Sequence, residues 1–313
     1  MEAAKYGLIG NSSAMGEVFS SIERIVKKDY GVPIFIHGKS GTGKESVARA
    51  IHKHSSRKGN KFFVVDFSCR YSEGSYDVDR FLESAQGGTL FLDKIGSMPL
   101  EIQSGLVRAL ENGYTPIGSN DVKKVDVQLI ATSDEQLYEM INQGRLCDRL
   151  YYTMKSAKIS VPPLKDREGD VELLAEYFLS QHEQELVLHP EALELLNAYF
   201  WPGNVRELRS VIELSRVLAD GNAIQSENIQ FEDRYESYGR DYPCIDDRKK
   251  GEDVRSYAKR IERGEILRTL RRYRTLEAAA RDLGIKNSGV DAMLRKHEIP
   301  KEEARNLLKK EED

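Results

Sequence analysis

The residues best suited to do chemistry lie in Gly38-Lys39-Ser40-Gly41-Thr42-Gly43-Lys44, which fits the pattern G-x-x-x-x-G-K. Glycines let backbone N–H groups curl around phosphate oxygens. A helix N-terminus adds positive potential, and Lys44 supplies a point charge. The loop follows the apolar run 34–36, which reads as a buried strand, and precedes a helical run at 47–51. In that setting it reads as the phosphate loop of a site for ATP or ADP; a plain glycine-rich turn is the competing reading. Glu45, followed by Ser46, stands where a hydroxyl would usually hold the magnesium. A second signature is Asp93, which ends the run Leu90-Phe91-Leu92. An acidic residue at a strand's C-terminal end can order Mg2+ through water, although such a strand end is common for structural reasons.

The elements that must position these residues alternate. A helix is expected over 15–27, with Val18, Ile22, Ile25 and Val26 on one face. Strands are expected at 61–66, 88–93 and 125–131, and helices at 77–85 and 99–112, the last with Ile102, Leu106 and Leu110 inward. Such alternation implies an α/β fold with a parallel sheet covered on both faces. From Arg167 the strands are expected to stop. The runs 171–186, 190–200 and 205–218 carry helical periodicity. Residues 232–252 are polar and aperiodic and read as a linker, after which helices resume.

With 313 residues, 40% hydrophobic and 31% charged, and a net charge of −4, the composition is that of a globular protein of two or three domains and excludes a polycation. No apolar run approaches the ~18 residues of a membrane span. The start, Met-Glu-Ala-Ala-Lys, lacks a signal-peptide pattern. Cys69, Cys147 and Cys244 lie far apart and form no metal-like pair. A cytoplasmic protein with reduced thiols is the expectation.

Four segments together resemble the AAA+ domain of bacterial enhancer-binding proteins, the sigma-54-dependent transcription activators: the phosphate loop through Glu45, 87–93, Val161-Pro-Pro-Leu-Lys-Asp-Arg167, and Trp201-Pro-Gly-Asn-Val-Arg-Glu-Leu208. The resemblance covers about residues 8–231 and accounts for Glu45, which is usual in that family. It implies that Ile9 and Gly10 line an adenine pocket and that Thr132 is a first sensor. It also implies that Arg206 is a second sensor, reaching the phosphates from a helical lid.

The departures carry as much information. The family's acidic pair is Asp-Glu, the Glu polarising the attacking water; here it is Asp93-Lys94, and a lysine does not serve as that base at neutral pH. The resemblance also implies arginines donated by a neighbouring subunit, at positions that hold Cys147 and Thr153. Such fingers contribute about 10³–10⁵ in rate. Arg145 and Arg149 lie two places either side of Cys147, roughly 200° around a helix, so neither substitutes easily. Finally, the segment 67–80 contains no G-A-F-T-G-A sequence, the tip with which the family grips its sigma factor.

The C-terminal region resembles a Fis-type helix-turn-helix. Thr275 caps a helix containing Ala279-Ala280, Gly284-Ile285 turns the chain, and 287–297 is the recognition helix. Residues 255–301 carry thirteen Arg or Lys against six Asp or Glu, an excess of 13 − 6 = +7 on an acidic chain. That sign and fold point to double-stranded DNA, contacted by Lys286, Asn287, Ser288, Gly289, Asp291, Ala292, Arg295 and Lys296. A solvated helical face is the bland alternative, and Asp291 would repel phosphates or read a cytosine amino group.

The expected organisation is an α/β nucleotide-binding subdomain at 1–166, a helical lid at 167–231, a linker at 232–252 and a helix-turn-helix domain at 253–313. The expected function is transcriptional regulation by a DNA-binding homo-oligomer, a dimer or higher ring, with RNA polymerase as a further partner. Its core would bind ATP or ADP with Mg2+, hydrolyse poorly and act independently of sigma-54. The alternatives are a working sigma-54 activator ATPase, and an inactive subunit that tempers a competent relative.

Overall fold

A computed structural model describes residues 6–28, 31–68, 77–116, 121–182, 186–231, 263, 266, 270, 280 and 290–308. The chain divides into two compact units, Met1–Asp170 with Gly203–Arg206, and Val171–Pro202 with Glu207–Asp313.

The first unit is built on five parallel strands: β1 (Ile34–His37), β2 (Phe62–Asp66), β3 (Thr89–Asp93), β4 (Gln128–Ser133) and β5 (Ala157–Ser160). Their spatial order is β2-β3-β4-β1-β5. The period-2 alternation of a strand sends Ile34 and Ile36 to one face and Phe35 to the other. On the first face they meet Met15, Val18 and Ile22 of α1 (Ser13–Lys28) and Val47, Ala48 and Ile51 of α2 (Lys44–His54). On the second, Phe35, Leu90, Leu92 and Leu129 pack with Leu82 of α3 (Val78–Ala85) and Leu106 and Val107 of α4 (Leu100–Asn112). Leu150 and Met154 of α6 (Asp148–Met154), which follows the short α5 (Leu137–Asn142), complete that layer. Each fully buried Ile, Leu or Phe contributes about 1.5–3 kcal/mol, so this two-sided core dominates stability.

Local chemistry sets the helix ends. The Ser12 hydroxyl accepts the Met15 N–H at 3.3 Å where α1 begins, and Asp77 accepts the Arg80 N–H at 3.2 Å where α3 begins.

Several expectations are corrected. β4 begins at Gln128 and runs to Ser133; Val125 and Val127 pack on the core without joining the ladder. A fifth strand, β5, closes the other side of β1. Its sequence Ala-Lys-Ile-Ser buries only Ile159 fully, which is too weak a pattern to read in advance. In α4 the buried positions are Gln103, Leu106, Val107 and Ala109, while Ile102 and Leu110 are half-buried.

In the second unit, α7 (Asp170–Ser180) contributes all but its first residue, α8 (Pro190–Ala198) lies wholly within it, and α9 (Asn204–Leu218) belongs to it from Glu207 on. α7 ends six residues before the expected 186. Strands do not stop at Arg167: β6 (Val187–Leu188) and β7 (Ala223–Ile224) form a two-residue parallel pair. Trp201 is buried and donates its indole N–H to the Leu196 carbonyl at 2.9 Å, while Tyr199 stacks on Phe231 with ring centroids 3.8 Å apart.

Toward the C-terminus, α10 (Val290–Lys296) and α11 (Lys301–Leu308) are described. Ile266, Leu270, Ala280, Val290, Leu294, Ile299 and Ala304 form one buried apolar cluster, an independent core for that region. No helix among the described residues is long and apolar enough to cross a membrane.

Candidate nucleotide site

The C-terminal ends of β1, β3 and β4 lie side by side, because His37 pairs with Ser133 and Leu92 with Ala131. Open α/β sheets place their ligand sites beyond such ends. The loop 38–43 leaves β1 there and runs into the N-terminus of α2. Gly41 has a positive φ of 77°, and a Cβ on it would come within 2.1 Å of the Gly203 carbonyl oxygen. Only glycine fits there. The Arg206 N–H donates to the Gly41 carbonyl at 3.3 Å, its guanidinium to the Ser40 hydroxyl at 3.2 Å, and the Asn204 amide to the Ser40 carbonyl at 2.9 Å. The loop is thereby braced by the segment 203–206.

Lys44, the first residue of α2, is only 8% exposed. Its ammonium donates to the Gly38 carbonyl at 2.7 Å and the Lys39 carbonyl at 3.1 Å, and pairs with the Asp134 carboxylate. Lys39, Ser46 and Glu45 are exposed. Glu45 pairs along its own helix with Arg49 at 2.7 Å. The Thr42 hydroxyl donates back to the Lys39 carbonyl at 2.8 Å.

Beyond β3, the Thr132 hydroxyl donates to the Asp93 carboxylate and accepts the Lys94 N–H at 3.2 Å. Thr132 thus ties the expected metal-ordering residue to the position that departs from the family pattern. Lys94 has a φ of 58°, a left-handed conformation rare for a side-chain-bearing residue. Its ammonium acts on Asp66, at the end of the neighbouring strand. Burial alone would raise the Asp66 pKa; the N–H and hydroxyl of Ser68 together with Lys94 bring it below its ordinary value.

Two buried charges organise the rest. The Arg167 guanidinium donates to the Thr42 carbonyl at 2.7 Å and the Pro162 carbonyl at 3.0 Å. Burial lowers its pKa to about 10, opposed by the nearby Asp170. Asp170 in turn accepts the N–H groups of Asn11 at 2.6 Å and Ser12 at 2.9 Å. This holds the loop that carries Ile9 and Gly10, and a Cβ at Gly10 would lie 2.7 Å from the Asp170 carboxylate. His37 accepts a hydrogen bond from the Gln136 amide at 3.1 Å. Burial, then the positive charges of Lys158 and Lys44, lower its pKa to about 4, so it is neutral at neutral pH.

The structure therefore gathers the phosphate loop, Lys44, Asp93, Thr132 and Arg206 around one end of the sheet. A cradle of loop amides, a buried lysine and a carboxylate at a strand end suits a nucleotide and the Mg2+ it carries. Among the described residues, no group of three or more His, Cys, Asp or Glu could hold a metal by itself. Any magnesium would depend on phosphate oxygens as well as Asp93.

Cys147 caps the start of α6, its N–H donating to Gln103 at 2.8 Å, and the Thr153 hydroxyl donates to the Arg149 carbonyl at 2.8 Å. Arg145 is already committed, forking onto Glu135 and reaching Gln143. Lys286, Asn287, Ser288 and Gly289 lie outside the described residues, as does the side chain of Asp291; Ala292, Arg295 and Lys296 are exposed on α10. Sequence reasoning passed over Asp134, Asn204 and Asp170, and assigned no role to Arg167.

The sigma-54 interaction domain family matches residues 8–74 and 71–160, and the AAA+ ATPase lid domain family matches 165–241. The DNA-binding transcriptional regulator NtrC of Rhizobium meliloti is 36% identical over 251 residues, 73% of this chain and 51% of that protein. The transcriptional regulatory protein ZraR of Klebsiella oxytoca is 35% identical over 250 residues, 72% of this chain and 56% of that protein. The chain thus spans about half the length of these curated relatives. NtrX from Brucella abortus, solved in complex with ATP, superposes with a TM-score of 0.65 at 27% identity, covering 93% of this chain and 69% of that one. On this combination of fold, loop and sequence kinship, the chain belongs to the AAA+ family of sigma-54-dependent enhancer-binding proteins.

Proposed function

We propose that this protein is a DNA-binding transcriptional regulator whose AAA+ core binds ATP or ADP but turns it over poorly, and that it acts without remodelling sigma-54 polymerase. The observation that carries the nucleotide reading is the buried Lys44 ammonium held against the 38–43 loop, with the Asp93–Thr132 pair at the same end of the sheet. The complex of the related NtrX with ATP supports it. Bound magnesium would neutralise phosphate charge, and Asp93 is the residue that would order its water ligands.

Poor turnover rests on Lys94. A lysine stands where the family's water-polarising carboxylate belongs, and no arginine stands at 147 or 153. Independence from sigma-54 rests on the segment 67–80. The family match falls into two pieces that meet at 71–74, where the gripping insertion would sit. DNA binding rests on the basic excess of 255–301 and on the DNA-binding name of the relative NtrC.

The match to a sigma-54 interaction domain itself favours a second reading, a working activator ATPase. A titration of labelled ATP followed by a turnover assay separates the two. Lys44-dependent binding without multiple turnover fits the proposal, while sustained turnover with sigma-54 open-complex formation establishes the second reading. An inactive subunit would reveal itself by co-purifying with a competent relative.

A further inference from the structure

A lysine ammonium has three N–H donors. Those of Lys44 match three acceptors: the Gly38 carbonyl at 2.7 Å, the Lys39 carbonyl at 3.1 Å and the Asp134 carboxylate. The first two belong to the phosphate loop and shape it. The third comes from the segment after β4, which lies beside β1 because Ser133 pairs with His37.

Asp134 is held there by its neighbours. The Ser133 carbonyl accepts the Gly38 N–H at 3.2 Å, and the Ser133 hydroxyl accepts the Glu135 N–H at 3.0 Å. Glu135 is itself forked by Arg145. The backbone on either side of Asp134 is thus fastened to the loop or to a fixed ion pair. Its side chain stays 37% exposed, open to solvent on one side and in contact with the ammonium on the other.

We infer that Asp134 determines which phosphate ligand the site prefers, setting it against a terminal γ-phosphate and in favour of a nucleoside diphosphate. The inference rests on the nucleotide reading above and deepens it. In phosphate loops of this pattern the lysine reaches the β- and γ-phosphates. A triphosphate must therefore draw the ammonium from Asp134 and also bring its own terminal negative charge against that carboxylate. A diphosphate lacks that terminal group and meets less of the repulsion. Coulomb energy between like charges falls only as the inverse of distance, so one fixed carboxylate at the lysine weighs most on the nearest phosphate.

The experiment measures the dissociation constants of MgATP and MgADP for the full chain and for Asp134→Asn, Asp134→Ala and Lys44→Ala. Thermal melts of each variant check that it is folded. The wild type is expected to hold ADP more tightly than ATP. Asp134→Asn, which keeps shape and loses charge, is expected to tighten ATP about tenfold, or ~1.4 kcal/mol, and ADP by much less. Asp134→Ala should do the same, since the effect is one of charge.

An unchanged ATP-to-ADP ratio in folded Asp134→Asn, with nucleotide binding still lost in Lys44→Ala, overturns the inference and leaves the nucleotide reading standing. Weaker MgATP binding by Asp134→Asn also overturns it, because the carboxylate would then be helping the metal. Absence of nucleotide binding in the wild type, or equal binding by Lys44→Ala, overturns the reading and the inference together.

Discussion

Asp170 grips Ser12 with both oxygens of its carboxylate: Oδ1 accepts the Ser12 N–H at 2.9 Å and Oδ2 the Ser12 hydroxyl at 3.0 Å. Asp170 is fully buried and faces the buried Arg167, whose guanidinium holds the Thr42 carbonyl. The Asp170 N–H donates to the Arg167 carbonyl at 3.1 Å, so the residue that holds the Ile9–Gly10 loop and the one that holds the phosphate loop are joined through the backbone. Asp170→Ala would strand two N–H groups and a hydroxyl and remove the carboxylate near the Arg167 guanidinium, and is expected to cost about 3 kcal/mol in urea unfolding. Ser12→Ala removes a single hydrogen-bonding group and should cost about 1 kcal/mol. Equal costs would mean that the carboxylate does not organise the network.

Restoring the family's carboxylate with Lys94→Glu is expected to leave multiple turnover negligible. The arginines absent at 147 and 153 are worth about 10³–10⁵ in rate on their own, and Lys94→Glu supplies none of that. Arg145 is tied to Glu135 and cannot be recruited without breaking that fork. A steady-state phosphate-release assay decides the matter, and robust turnover by the single variant would show that Lys94 is the sole defect.

Much of this arrangement was legible in the sequence, for identifiable reasons. β1 and β3 are apolar runs that end in a glycine turn or an acidic residue, so their ends and the chemistry there could be read together. β5 was not legible, since an edge strand buries one face and shows little pattern in four residues. Nor was the contact of Asp134 with Lys44, ninety positions away, because it exists only through the pairing of β1 with the non-consecutive β4. Arg167 and Asn204 stood inside recognised motifs, yet nothing in their types told that one braces the Thr42 carbonyl and the other the Ser40 carbonyl.

His37 gives the site a pH signature. Its pKa is lowered from 6.5 to about 4 in the folded protein by burial and then by Lys158 and Lys44. Above pH 6.5 the ring is neutral both folded and unfolded, so its contribution is complete there. As pH falls toward about 4, the unfolded chain takes up the proton and the folded one resists it, so stability declines across that window. Below it the folded ring is protonated too, and no further loss comes from this group. His37→Gln should remove this component. The difference between wild-type and variant unfolding free energies should therefore fall as pH is lowered from 6.5 to 4; a flat difference would place the ring in a solvated setting.

The remaining prediction concerns DNA. Arg295 and Lys296 lie exposed in the last turn of α10, within a region whose own apolar cluster gives it a core to present them from. If they contact phosphates, replacing both with glutamine should weaken binding to every duplex alike. It should also reduce the slope of log affinity against log salt by roughly 1.8, because each phosphate contact contributes about 0.9. Changing Asn287 should instead alter which sequences are preferred, since a base contact discriminates while a phosphate contact only positions. One module of this size seldom binds tightly alone, so protection should appear over paired half-sites spaced by whole helical turns of about 34 Å. The measurements are a footprint and a salt titration, on the full chain and on a chain ending near Gly251. Equal DNA affinity of the two would move the DNA reader out of the C-terminal region and remove the ground for calling this protein a DNA-binding regulator.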